Sequence, residues 1–330
     1  MVNVVAGTLS DVYGRKVLLI ASGFFFASTP FLYLLVTNPL QLIAVCVYHG
    51  VATAVFTPVA AAAVADAYAE RRGEAMGLLS SATLVGRLIA PFSAGLFISF
   101  YSFRGAYLFC AAVGVAVFIT LTTVPPLPRP RRGAPSAVRS LSEALLNPRV
   151  LAVGTAMVAV YFALQSIETF LPIHLKAMSM ATWLIGAVLS MELGTVALVK
   201  PYGGRLYDRA GRRITVVAGA LIAAAGLAAL AASPSYHLVA ASVAVFAVGV
   251  ALVTASLPPM AASIVSSSAR GAALGAMETI KDVGQALGPI VTGGLLMAFP
   301  PSVAFLAASA VVLMAAPIAL AAARRVRPLV

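Results

Sequence analysis

The chain has 330 residues, of which 61% are hydrophobic and only 10% are charged, and its net charge is +12. Soluble domains carry about 25% charged residues, so this composition excludes an ordinary soluble globule. The positive charge does not indicate nucleic-acid binding either, because the cations occur in short connections between apolar segments. The sequence therefore predicts an integral membrane protein.

Ten apolar segments are long enough to cross a bilayer as helices, each of which needs about 20 residues. They are rich in Ala, Gly, Ser and Val, which suits close helix packing. They are too long, and alternate too little, for the strands of a membrane β-barrel. We therefore expect an all-α integral membrane protein. In chain order the segments are 17–37, 40–65, 75–100, 105–124, 150–175, 182–202, 214–232, 237–263, 272–299 and 303–323.

The basic residues are concentrated in alternate connections between the segments. Of the 22 Lys and Arg residues, 18 occur in one set of connections and in the C-terminal tail. The positive-inside rule places this set on the cytoplasmic side. We expect the membrane to be a plasma membrane. The Pro- and Arg-rich stretch 126–148 belongs to it and is predicted to be an extended linker. It separates an N-terminal helical bundle, 1–125, from a C-terminal bundle of six helices, 149–330.

Two motifs recur in the same order at a nearly constant offset, which indicates a parallel internal repeat of the kind found in transporters. The first motif, GTLSDVYGRK and its copy GRLYDRAGRR, contains glycines that suit a tight turn at the membrane surface. In GTLSDVYGRK and GRLYDRAGRR, the offset of 197 relates Gly7, Asp11, Gly14 and Arg15 to Gly204, Asp208, Gly211 and Arg212. In the second motif, the offset of 198 relates Gly86, Pro91 and Gly95 to Gly284, Pro289 and Gly293.

The paired loops resemble the loop signature of the major facilitator superfamily, G-x-L-x-D-R-x-G-R-[KR]. The stretch GQALGPIVTGG (284–294) is similar to the Gly-Pro pattern of the same superfamily, and GRLIAPFSAG (86–95) is a degenerate form of it. The resemblance covers essentially the whole chain. It implies a transporter built from two helical bundles that moves a small solute by alternating access.

In the superfamily the first loop signature lies between helices 2 and 3 of twelve, whereas here it begins at Gly7. The resemblance therefore implies that the ten segments are helices 3 to 12, preceded by a partial helix 2. Helix 1 and most of helix 2 would be missing from this sequence. A misplaced start codon, a gene remnant and a truly short product are all compatible with this reading.

The resemblance also assigns a cytoplasmic latch to the loops. Asp11 would contact the start of helix 11 near Arg270, and Asp208 the start of helix 5 near Arg72, because a helix N-terminus attracts a carboxylate. A solvated loop that only orients the protein is the alternative. The predicted gate residues are Gly7, Asp11, Gly14, Arg15, Lys16, Gly204, Asp208, Arg209, Gly211, Arg212 and Arg213.

Charged residues inside the segments are costly and are therefore candidates for a substrate or proton path. Arg87 and Glu192 lie near the middle of helices that line the junction of the two halves in the superfamily, so we expect them to face each other across the path. Glu192 could carry a proton, or the two could form a static ion pair. Further candidates are Gln165 and Glu168, on one face of helix 7, and Lys281 and Asp282 of helix 11, where Lys281 can instead pair with Glu278.

Glycine and proline residues in helices 5 and 11 are expected to permit close helix packing, to kink a helix, or both. A gating role and mere close packing both remain open. The residues concerned are Gly86, Pro91, Gly95, Gly284, Gly288, Pro289, Gly293 and Gly294.

The sequence thus predicts a secondary active transporter of a small solute, coupled to protons or another ion. Export of an apolar compound is favoured because few polar residues lie in the segments. An uptake permease for sugars or organic acids, and a truncated remnant that transports nothing, are the alternatives. Cys46 stands where drug–proton antiporters of the superfamily usually carry an arginine, which counts against that activity. No cofactor, no metal and no enzymatic motif is predicted, and the expected partners are the substrate, the coupling ion and the lipid bilayer.

Overall fold

The computed structural model describes residues 14–125, 146–265 and 270–324, and every regular element in these ranges is helical. The expected all-α fold is confirmed. A 3-10 helix, Ala69–Arg71, accompanies nine α-helices. These are α1 (Arg15–Leu35), α2 (Pro39–Ala67), α3 (Arg72–Phe100), α4 (Phe103–Thr123), α5 (Pro148–Ala177), α6 (Thr182–Ala231), α7 (Tyr236–Ala262), α8 (Arg270–Ala298) and α9 (Pro301–Arg324).

Short polar connections determine where several helices begin. Before α2, the Asn38 side chain accepts a hydrogen bond from the Gln41 N–H at 2.9 Å, and Pro39 occupies the first turn, where its missing N–H costs nothing. Before α4, Ser102 Oγ accepts from the Gly105 N–H at 3.2 Å. These caps satisfy backbone donors that a helix start leaves without an intrahelical partner.

Eight of the described helices, α1–α7 and α9, are long and apolar enough to span a membrane. The difference from the ten predicted segments has two causes. Segments 182–202 and 214–232 are joined within α6, and α8 is more polar because it carries Glu278, Lys281 and Asp282. With 50 residues, α6 would extend about 75 Å if straight, which exceeds two hydrocarbon thicknesses of about 30 Å.

The loop predicted at 203–213 is therefore largely helical. Residues such as Arg205, Leu206 and Arg209 are good helix formers, and helical conformation continues through them to Gly211. At Gly211 the backbone turns to φ 82°, ψ 159°, which is not helical, so α6 consists of two helices that meet at this residue.

The helices form two compact units. Unit 1 contains α1, α2, α4 and most of α3, and unit 2 contains α5–α9 together with Ala90–Phe92. Unit 2 has an extensive apolar core, in which Leu227, Phe246 and Leu257 are at most 1% exposed. The core of unit 1 is a small cluster around Leu19 and Val59. Most of the apolar surface of α2, α3 and α4 is exposed, as expected for helices surrounded by lipid.

Candidate functional site

The two copies of the loop motif share an unusual backbone conformation. Gly14 has φ 89° and ψ 141°, and Gly211 has φ 82° and ψ 159°. This extended region at positive φ is open essentially to glycine alone, because a Cβ atom would clash with the backbone. In each copy a helix begins at the following residue, Arg15 or Arg212. The glycine thus turns the chain at the point where the next helix starts.

The other gate residues are placed less uniformly. Asp208, Arg209 and Arg213 are exposed, whereas Lys16 and Arg212 are half-buried. Gly204 lies within the helical part of α6, with open space where a side chain would be. Gly7 and Asp11 lie outside the described residues, and the side chains of Arg72 and Arg270 are not described either. The latch therefore stays a prediction.

Arg15 differs from the solvated loop cation that its place in the motif suggests. It is only 8% exposed, forms an ion pair with Asp66 near the end of α2, and donates from Nη1 to the carbonyl oxygen of Ala62. The pair fixes the start of α1 to the end of α2. Sequence reasoning missed Asp66, although the charge alternation places the end of α2 on the same membrane side as Arg15.

Neutralising Asp66 should destabilise unit 1. Arg15 would keep its charge in a largely buried place without its carboxylate partner, and we expect Asp66→Asn to cost about 1–3 kcal/mol in the free energy of unfolding. Thermal unfolding of the purified protein in detergent measures the effect. Glu70→Gln is the matched control, because Glu70 is an exposed acid four residues further on. Equal stability of the two variants would contradict the role given to the ion pair.

Glu192 lies in the membrane-spanning part of α6 and is completely buried, with 0% of its surface exposed. Only Arg15 accompanies it as a buried charged residue among the side chains that the structure describes. Burying a carboxylate in an apolar helix is costly, so such a residue usually has a function. Ile185 and Val188 of the same helix are buried with it.

The remaining candidates for the path are spread over three helices. Gln165 and Glu168 are half-buried on α5, where Thr169 Oγ1 donates to the Gln165 carbonyl at 2.8 Å. Arg87 of α3 is exposed and belongs to unit 1, whereas Glu192 belongs to unit 2. The expected pairing of Arg87 with Glu192 stays a prediction.

In α8, Lys281 forms an ion pair with Glu278, the local pairing that their spacing suggests. The Lys281 ammonium also lies 5.6 Å from the centre of the Tyr161 ring of α5, within the range of a cation–π contact. Asp282 is exposed beside them. This part of α8 therefore presents one cation held between a carboxylate and an aromatic face.

Two glycines of α8 allow it to approach α5 very closely. A Cβ atom on Gly284 would lie 2.4 Å from the Val158 carbonyl oxygen, and one on Gly288 would lie 2.5 Å from that of Phe162. One turn further on, Thr292 Oγ1 donates to Ser166 Oγ at 2.8 Å, in a fully buried contact. Small residues and a hydroxyl bridge thus hold the two helices together.

The other glycines and prolines singled out in the sequence have varied surroundings. Gly86 and Gly294 have open space around the place of a side chain, and Gly293 would meet only the edge of the Phe170 ring at 3.2 Å. Gly95 is buried in α3. Helices α3 and α8 continue through their internal prolines, which are Pro91 and Pro289.

No three His, Cys, Asp or Glu side chains come together as a metal site would require in the part of the chain that the structure describes. The polar groups of the candidate site are a buried carboxylate, ion pairs and hydroxyls.

Comparison with known proteins identifies relatives over nearly the whole chain. The chain is 25% identical over 296 residues to the "uncharacterized MFS-type transporter MJ1560" of Methanocaldococcus jannaschii, with 88% of this chain and 76% of that protein covered. It is 34% identical over 120 residues to the multi-drug resistance efflux pump PmrA of Streptococcus pneumoniae, a match that covers 34% of this chain and only 30% of the pump.

Solved structures share the fold at low sequence identity. An inward-facing bacterial homologue of the human lysosomal transporter Spinster superposes with a TM-score of 0.79 at 17% identity, covering 99% of this chain and 86% of the other. The xylose transporter XylE of E. coli, in its inward-open form, gives a TM-score of 0.70 at 17% identity over 97% and 82% of the two chains.

The sequence profile described as Major Facilitator Superfamily matches residues 1–191 and 179–329. Together with the repeated loop motif and the membrane-spanning helices, these matches show that the chain belongs to the Major Facilitator Superfamily of transporters.

Proposed function

We propose that this protein is a secondary transporter that exports a small hydrophobic or amphipathic solute, with proton coupling through Glu192 and not through the arginine of the usual drug–proton antiporters, whose place Cys46 takes. The observation that carries the proposal is the complete burial of Glu192 within a membrane-spanning helix. Ionisable side chains within membrane-spanning helices are rare, and they mark the paths of protons and ions in transporters. Alternating exposure of Glu192 would couple proton movement to solute movement.

One observation supports an apolar solute, and a second supports export. Apolar residues dominate the described helices, which favours an apolar solute. The similarity to PmrA, a multi-drug efflux pump, covers about a third of this chain and points the same way. Arg87 would face Glu192 across the solute path, and the protein would lie in the plasma membrane with its central linker and C-terminus in the cytoplasm.

We further propose that the segment around Asp208 forms part of a latch that closes the cytoplasmic side. The turn at Gly211 supports this role, because it begins the following helix three residues after Asp208. The exposed Asp208 side chain is available to a helix N-terminus, which would stabilise the carboxylate.

A flux assay tests the proposed function. The purified protein is reconstituted in proteoliposomes, and the movement of ethidium, a hydrophobic cation, is followed by fluorescence with and without an imposed pH gradient. We expect ethidium movement that depends on the gradient and stops when an ionophore collapses it. Protein-free liposomes control for leakage.

Radiolabelled xylose in the same liposomes separates export from the competing assignment. Gradient-driven xylose movement without ethidium movement would replace the proposed function by a sugar permease. Ethidium movement that persists after the gradient has collapsed would contradict proton coupling.

A further inference from the structure

One face of α6 changes its chemistry along the helix before the break at Gly211. Leu198, Tyr202, Arg205 and Arg209 are spaced by four, three and four residues, so they lie on the same face of the helix. Leu198 is 73% exposed and Tyr202 is 64% exposed. Both arginines are exposed as well. The face therefore passes from aliphatic to aromatic to cationic over roughly 16 Å of helix.

This order matches the profile of a lipid leaflet. Aliphatic side chains face the hydrocarbon, tyrosines lie at the interface, and arginines reach the phosphate layer. Leu198 then marks the hydrocarbon side and Arg209 the phosphate side. The face points to lipid rather than to another part of unit 2, because its large apolar side chains are exposed.

The cationic end of this face contains a cavity. Tyr202, Arg205, Leu206 and Arg209 line a surface cavity of about 330 Å³. The Arg205 guanidinium carbon lies 5.5 Å from the centre of the Tyr202 ring, so a cation–π contact restrains this side chain at the cavity wall. Arg209 follows one helical turn further on. Two guanidinium groups thus flank one opening.

We propose that this cavity binds the phosphate of one anionic phospholipid, whose acyl chain lies along Leu198 and Tyr202. Guanidinium groups match phosphate oxygens with paired hydrogen bonds, and two of them favour a ligand with net negative charge. A zwitterionic lipid has the same phosphate but carries a compensating cation, which two arginines would repel. The binding site does not depend on which solute the protein transports.

Lipid titration followed by native mass spectrometry tests the proposal. The full-length protein in a neutral detergent is titrated with dioleoylphosphatidylglycerol or, in parallel, dioleoylphosphatidylcholine, which has the same acyl chains. We expect one phosphatidylglycerol to be retained with clearly higher affinity than any phosphatidylcholine. Arg205→Gln and Arg209→Gln should each weaken this binding about fivefold, the effect of one arginine near a membrane surface.

Controls separate a discrete site from general attraction by a basic surface. Arg71→Gln removes one exposed arginine of unit 1 and should leave the affinity unchanged. Tyr202→Phe should bind as the unaltered protein does, because the ring is kept, whereas Tyr202→Leu should weaken binding. Unfolding temperatures measured without added lipid show that each variant is folded.

Three results would overturn the proposal. Equal binding of the two lipids would remove the charge argument, and an equal loss in Arg71→Gln would show a diffuse surface effect. Competition by inorganic phosphate at millimolar concentration would show that the cavity takes a soluble anion instead of a lipid. Single retention of phosphatidylglycerol that depends on both arginines and resists free phosphate would establish the site.

Discussion

Glu192→Gln is expected to abolish solute movement driven by a pH gradient and to leave the protein folded. Glutamine has nearly the same shape as glutamate but cannot exchange a proton at neutral pH. Because Glu192 is completely buried and glutamine fills nearly the same volume, the packing around it is kept and stability should change little. Flux in proteoliposomes measures the first effect, and the unfolding temperature in detergent measures the second.

Glu70→Gln provides the control, because Glu70 is an exposed acid outside the candidate path. Its gradient-driven flux should stay well above that of Glu192→Gln. If Glu192→Gln transports as well as the unaltered protein, the proton-carrying role of Glu192 is wrong. Transport that continues but no longer depends on the gradient would instead support coupling through this residue.

A double variant tests the predicted contact between Arg87 and Glu192. Exchanging the two charges in the double variant Arg87→Glu/Glu192→Arg should restore part of the flux or stability that either single change loses, if the side chains interact. A double variant no better than the single ones would rule out the pairing. It would leave the role of Glu192 untouched, since that role depends on burial and not on a particular cation.

Gly288→Ala is expected to destabilise unit 2 by about 1–3 kcal/mol, the usual cost of overpacking a close contact. The added methyl group would lie 2.5 Å from the Phe162 carbonyl oxygen and 3.1 Å from Ser166 Oγ. The first neighbour belongs to the backbone of α5 and cannot move aside alone. A titration with denaturing detergent, read by loss of helicity or by proteolysis, measures the change.

Gly294→Ala, on the same helix, is the control. A side chain there would meet nothing within 4 Å, and alanine favours helix over glycine by up to about 1 kcal/mol. We therefore expect this variant to be as stable as the unaltered protein or slightly more so. If both variants behave alike, the close approach of α5 and α8 does not contribute to stability as described.

The membrane-spanning helices could be predicted well from the sequence because hydropathy over about 20 residues depends only on local composition. The helical stretch before Gly211 could not be predicted from the sequence in this way. Its Arg, Asp and Tyr residues resemble a polar loop by composition, yet the backbone stays helical through them as far as Gly211. Within this copy of the loop motif, only Gly211 has a non-helical backbone conformation.

The candidate site was visible in the sequence where a charge interrupts an apolar segment. Glu192 stands out for this reason, and the structure buries it completely. Pairings between distant residues were not visible. Arg15 and Asp66 are 51 residues apart and form an ion pair that no local pattern indicates. The contact between Ser166 and Thr292 depends likewise on how α5 and α8 pack.

The paired turn glycines have a consequence at the level of the gene. Any single-base change in a glycine codon that alters the amino acid introduces a residue with a Cβ atom. Gly14 and Gly211 both adopt positive φ in the extended region, so every such change strains the chain. Because each glycine starts a different helix, one copy cannot compensate for the other. The repeated motif thus contains two separate glycine codons in which any point mutation that changes the amino acid is costly.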